Sequence, residues 1–299
     1  MDNILTEQSN INSRNIDLMP TSEILQTINN ENKKVALAVE KAIPEISKAV
    51  DIISNAFLNG GRLTYFGAGT SGRLGVLDAS ECWPTFSVPH EMVTAFIAGG
   101  NEALRHEAPN AEDSEDLAQM DLRTFSPTTN DVVVGISASG NPHYVITALK
   151  EARKHGSKTI GITSNPSAKL IPFCDVCIIT AVGPEIITGS SRMKSGTAQK
   201  MVLNMLTTAS MIKIGKTYGN YMIDLQFTCD KLIERGNNII ASICNIPVAK
   251  AEEYRIKANN NIKTACVMYH QQCSKDEAEK LLSKHHGILR KVLFNEETK

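Results

Sequence analysis

The stretch Arg62-Leu-Thr-Tyr-Phe-Gly-Ala-Gly-Thr-Ser-Gly72 reads as a strand running directly into a glycine loop. Four further apolar runs follow it, at 92–97, 131–136, 158–163 and 176–180. Residues 131–136 (DVVVGI) have the near-continuous apolarity of a strand buried on both faces. Helix-length segments separate the runs, as at 141–155, which Gly156 closes. Strands alternating with helices imply βαβ crossovers, so the expected fold is α/β, an open parallel sheet with helices packed on it.

Upstream, Val39, Ile43, Ile46, Val50, Ile53 and Phe57 recur every three or four residues and make one apolar helical stripe. Pro44 interrupts the stripe, which calls for a kink or two abutting helices, and Asn59-Gly-Gly61 ends it. Residues 1–20 are polar and read as an extended arm, either a free tail or an arm docked on a partner subunit. Downstream, 190–213 reads as one long helix dense in Met, Leu and Ala, and no strand signal returns after Asp230. Residues 247–270 and 274–293 are expected to be helical, the second opened by the capping box Ser274-Lys-Asp-Glu277. The expected division is therefore 1–234 for the sheet domain and 235–299 for a small all-helical unit.

Composition narrows the ligand. The chain has 299 residues, 42% hydrophobic and 21% charged, with a formal net charge of -1. A near-neutral protein has no long-range field to gather nucleic acid or an anionic membrane, so any anion must be held by local geometry. The seven cysteines are odd in number and scattered, which suits free thiols in a reducing compartment. With no apolar signal core and no long apolar span, cytoplasm is the expected location. Cys174-Asp-Val-Cys177 is a lone pair without a companion, and on a strand its side chains would point to opposite faces, so buried thiols rather than a metal site are expected.

Gly67-Ala-Gly-Thr-Ser-Gly72 formally matches a dinucleotide fingerprint. The second strand, however, ends in Ala98-Gly-Gly rather than in an acidic residue that could hold a ribose. Gly69, Thr70 and Ser71 instead suit a phosphate: glycine lets backbone N–H groups approach, hydroxyls add donors, and the following helix adds its dipole. Ser137-Ala-Ser139 repeats the arrangement after the third strand, and Ser190, Ser191 and Lys194 stand at the start of the long helix. Each alone could be an ordinary helix cap; together they belong at the carboxyl ends of an open sheet, where loops converge on one crevice. A small phosphorylated ligand is the expected partner. Two acidic segments accompany these loops, 78–84 with Glu81 and 111–114 with Glu112; Cys82, Trp83 and Pro84 could desolvate Glu81 and favour its acid form.

These residues carry a resemblance over nearly the whole chain. Gly67–Gly75 (GAGTSGRLG), 77–82 (LDASEC), 97–100, 111–114 and 188–200 (TGSSRMKSGTAQK) resemble the N-acetylmuramic acid 6-phosphate etherases of the sugar isomerase (SIS) superfamily. Two departures are visible: Trp83 stands where proline is usual, and Asn141-Pro142-His143 replaces Arg-Thr-Pro. The resemblance implies a flavodoxin-like three-layer SIS domain that cleaves the D-lactyl ether of a phosphorylated amino sugar. It implies no metal or redox cofactor, a homodimer, and a role in peptidoglycan recycling or N-acetylmuramate catabolism. By the same resemblance Glu81 would protonate the departing lactate and Glu112 would take the C2 proton. An SIS aldose–ketose isomerase, which would also use a carboxylate base but release no lactate, and a non-catalytic phosphosugar sensor are the alternatives; the two carboxylates favour an enzyme over the sensor.

Overall fold

A computed structural model describes residues 5–294 of the chain. Two abutting helices, α1 (Thr21–Lys41) and α2 (Ile43–Leu58), precede the sheet, with Pro44 seated in the first turn of α2 where its missing N–H costs nothing. The sheet comprises β1 (Leu63–Gly67), β2 (Val93–Ile97), β3 (Val132–Ile136), β4 (Lys158–Thr163) and β5 (Val176–Ile179). All its pairings are parallel, in the order β2-β1-β3-β4-β5. The crossovers are α3 (Gly69–Phe86), α4 (Glu115–Phe125) and α5 (His143–Lys154).

Alternation along the strands assigns the faces. Phe66 and Val133 pack in one core with Tyr144, Val145 and Leu149 of α5. Gly135 lies on that side, where a Cβ would come within 2.7 Å of Leu149 and 2.8 Å of Val145, so glycine permits α5 to lie close to the sheet. Tyr65 and Ile136 point the other way and meet α3 at Gly75. Helices therefore cover both faces, which is why the strands read as apolar runs without alternation. The strand order reverses between β1 and β3, and that is where an open α/β sheet forms its crevice.

After β5 come α6 (Lys194–Lys213), a hairpin of β6 (Thr217–Tyr218) and β7 (Tyr221–Met222), and α7 (Asp230–Cys244), α8 (Val248–Lys257), α9 (Ile262–Gln271), α10 (Lys275–Lys284) and α11 (Leu289–Phe294). The chain forms two compact units, residues 1–80 with 90–208, and 81–89 with 209–299. The second has its own core, in which Ile240, Ala251, Ala265 and Val267 are fully buried. Its charged centre is Asp224, paired with Lys263 at 2.6 Å and Lys216 at 3.3 Å.

Several expectations change. Described residues of the amino-terminal arm are not extended: they form 3-10 turns at Leu5–Glu7, Ile11–Ser13 and Ile16–Leu18. The arm is tied to its own unit, Asn10 donating to the Pro184 carbonyl at 3.0 Å and Ser13 to that of Ile186 at 2.6 Å. Residues 1–4 lie outside the described residues. The long helix begins at Lys194, not Ser190, because the Glu185 carboxylate accepts from the N–H groups of Lys194 (3.0 Å) and Ser195 (2.9 Å). Each of the two carboxyl-terminal helical spans is broken in two by left-handed residues, Asn259 and Asn260 in one, His286 and Gly287 in the other. The Ser274–Glu277 capping box is present at α10. Cys174 lies just before β5, so strand alternation does not apply: both thiols are half-buried, and that of Cys174 donates to the Leu170 carbonyl at 3.3 Å.

Candidate active site

The loops at the carboxyl ends of β1 and β3 meet as the strand order requires. A cavity of about 280 Å³ is lined by Gly69, Thr70, Ser71, Ser137, Ser139, Pro142, Gly189, Ser191 and Glu112, with Thr6 and Glu7 of the amino-terminal turn closing one side. Seven of the ten residues singled out from the sequence are thus brought together. The loop entering α3 is shaped by contact: a Cβ on Gly72 would lie 2.6 Å from Ile97 and 2.7 Å from the Gly67 carbonyl. The first-turn N–H groups of α3, at Gly69, Thr70 and Ser71, have no helical carbonyl behind them and carry the positive end of the helix dipole.

The serines have distinct tasks. Ser71 is buried and donates to Gln199 Oε1 at 3.0 Å, a partner on α6 that no local sequence rule reveals. Ser137 Oγ accepts from the Gly140 N–H at 3.0 Å and Ser139 Oγ from that of Asn141 at 3.3 Å. A hydroxyl that accepts keeps its proton, so each can still donate to an anion. The 137–140 loop is braced from β4: Thr163 donates to the Ala138 carbonyl at 3.1 Å and Asn165 to that of Ser139 at 2.9 Å.

Beneath α3, Asp78 accepts from Tyr65 (2.8 Å), Asn204 (2.7 Å) and Thr207 (3.3 Å). Burial pushes its carboxyl up, against the lowering effect of those bonds. The cluster fixes α3 to β1 and α6, and so holds the glycine loop in register with the helix that follows Ser191. A Gly72→Ala variant should lose about 1–3 kcal/mol of stability by overpacking. Phosphosugar affinity should fall with it, as calorimetry on the folded fraction would measure; unchanged affinity would show that the loop does not grip the ligand.

Glu112 sits on the 3-10 turn Ala111–Asp113, its carboxylate exposed. The turn is fixed on both sides: Ala111 is buried in the core under α5, and Ser114 caps α4 by accepting from Leu117. Glu112 also borders a second cavity, of about 360 Å³, which shares Ala68 and Gly69 with the first.

Three expected residues fall elsewhere. Ser190 is half-buried and lines neither cavity. Lys194 is 1% exposed and its ammonium is bonded to Glu31 of α1 at 2.7 Å, so its charge is engaged inside the protein. Glu81 is exposed, which removes the desolvation expected from Cys82, Trp83 and Pro84.

Against known proteins, residues 28–164 match the SIS domain model. The N-acetylmuramic acid 6-phosphate etherase of Actinobacillus pleuropneumoniae serotype 5b (strain L20) is 51% identical over 292 residues, covering 98% of this chain and 96% of that protein. The chain belongs to the N-acetylmuramic acid 6-phosphate etherase family. Namesakes from Photorhabdus laumondii (47% identical, 98% of this chain and 97% of theirs) and Vibrio vulnificus strain YJ016 (47%, 97% of each) match at the same extent. Among solved structures, a candidate phosphosugar isomerase involved in capsule formation from Bacteroides fragilis NCTC 9343 shares the fold. It has a TM-score of 0.51 and 23% identity over 68% of this chain and 98% of that one. In this etherase-family chain the departure at 141–143 touches the site, since Pro142 lines the first cavity, while His143 faces Glu115 at 3.3 Å.

Proposed function

We propose that the protein cleaves the D-lactyl ether of N-acetylmuramic acid 6-phosphate, giving N-acetylglucosamine 6-phosphate and D-lactate. The observation that carries this reading is the one cavity lined by the first turn of α3 and by the hydroxyl residues Thr70, Ser137, Ser139 and Ser191, with Glu112 also in its lining. Phosphate would be held by backbone and hydroxyl donors, not by Lys194.

In the ring-opened sugar the C2 proton lies α to the aldehyde and is acidic. The Glu112 carboxylate takes that proton, the electron pair forms a C2–C3 double bond, and the C3–O bond breaks. A protonated carboxyl gives its proton to the departing lactyl oxygen, releasing D-lactate. Water then adds across the double bond, its hydroxyl to C3 and a proton to C2, so one water is consumed overall. Glu81 is the proposed acid. Its exposed carboxylate is open to a second copy of the chain, and the proposed assembly is a homodimer in which one subunit supplies Glu81 to the cavity of the other. A cytoplasmic enzyme in recycling or use of cell-wall amino sugar would be the setting.

The unaltered protein should release D-lactate from N-acetylmuramic acid 6-phosphate, with one solvent deuterium fixed at C2 of the sugar product when run in D2O. Isomerised sugar without lactate would support the isomerase alternative, and tight binding without turnover the sensor.

A further inference from the structure

The second cavity adjoins the first at Ala68, Gly69 and Glu112, and its chemistry is different. Arg73, Arg105, His106, Glu107 and Asn110 line it. Arg73 donates through Nε to the Leu104 carbonyl at 3.1 Å and through Nη2 to the His106 carbonyl at 3.0 Å. Both acceptors are neutral, so these bonds fix the 104–106 segment and leave the guanidinium charge uncompensated. Arg105, on the segment so held, is exposed and has a whole guanidinium to offer. The hydroxyl-rich cavity is therefore joined to one bearing two guanidinium groups, and a carboxylate with catalytic chemistry stands at the junction.

The proposed substrate has the same layout. Its phosphate is at C6, its second anion is the lactyl carboxylate on the C3 oxygen, and the bonds to be broken lie between them. We propose that the Arg73–Arg105 cavity is the subsite for the lactyl carboxylate, with Arg105 as its direct partner and Arg73 as the residue that positions Arg105. This inference rests on the etherase reading and adds to it the means by which a lactyl sugar is told apart from a bare amino sugar phosphate. Glu107 and Glu112 disfavour an anion that is not paired with the guanidinium groups, which sharpens the selection.

The test is a comparison of substrate with product in Arg105→Gln. Loss of one charge-assisted pair should lower kcat/KM for N-acetylmuramic acid 6-phosphate by about 10- to 100-fold. Competitive inhibition by N-acetylglucosamine 6-phosphate, which has no lactyl group, should keep its Ki, and inhibition by D-lactate should weaken. Arg105→Lys should recover part of the loss, because it restores charge without the bidentate fork. Equal shifts for substrate and product, or no shift for either, would overturn the subsite while leaving the etherase reading intact. No lactate release from the unaltered protein would overturn both, and circular dichroism of the variant separates either result from misfolding.

Discussion

Glu112→Gln is expected to bind phosphosugar as the unaltered protein does and to turn over N-acetylmuramic acid 6-phosphate about 10²–10⁴-fold more slowly. Its position rests on Ala111 in the core and Ser114 at the α4 cap, neither of which the substitution touches, and its own carboxylate is exposed. The loss should therefore appear in kcat, with melting temperature unchanged, and exchange of the C2 proton with solvent should vanish together with lactate release. Glu81→Gln should be equally slow. If Glu81 serves the neighbouring subunit, mixing the two inactive variants gives hybrids with one intact and one doubly altered site, restoring about a quarter of normal activity in a randomly exchanged twofold dimer. No recovery on mixing would place both carboxylates in one subunit, and normal turnover in Glu112→Gln would remove it from the mechanism.

The second large effect is on stability. Glu31 and Lys194 form an ion pair whose side chains are 3% and 1% exposed, joining α1 to the first turn of α6. Burial alone would raise the Glu31 carboxyl, but bonds from Lys194, Lys34, Asn12 and Asn10 outweigh it and hold it at about 2. Glu31→Gln should cost about 3–5 kcal/mol, because the Lys194 charge is then buried without its partner. Glu31→Gln with Lys194→Met should recover most of that loss, as denaturant titration of the three proteins would show. The sign of the pH dependence follows from the depressed value. The pair's contribution is complete above the ordinary carboxyl value of 4.5 and is lost as pH falls through about 2. The unaltered protein should thus shed stability more steeply over that interval than Glu31→Gln, which keeps only the share of other depressed carboxyls such as Asp131. Parallel profiles for the two proteins would refute the assignment.

That ion pair also shows how a sequence pattern misleads. Ser190, Ser191 and Lys194 read as one group of anion ligands at a helix start, yet only Ser191 reaches the cavity. The helix is capped by Glu185 from a loop nine residues upstream, and the lysine is claimed by Glu31, 163 positions away. Glu81 suffers the same limit, since neighbours in sequence that could have desolvated it leave it exposed. Thr6, Glu7 and Gln199 went unread for the converse reason: polar residues in a tail or a helix carry no local signal of the cavity or hydroxyl they will meet.

Residues decided by short-range rules were legible from the sequence alone. Apolar runs between helix-length segments determined five parallel strands, Pro44 the break between α1 and α2, and Ser274 and Glu277 the cap of α10. These follow from backbone sterics and hydrogen-bond valence within a few residues. Tertiary structure alone decided which of those loops share a cavity, that the amino-terminal turn closes one side of it, that Lys194 is spent in the core, and that two arginines adjoin Glu112. The reason is physical: a side chain's charge and reach are set by whatever the fold brings against it, and those partners lie from a few to more than a hundred residues away.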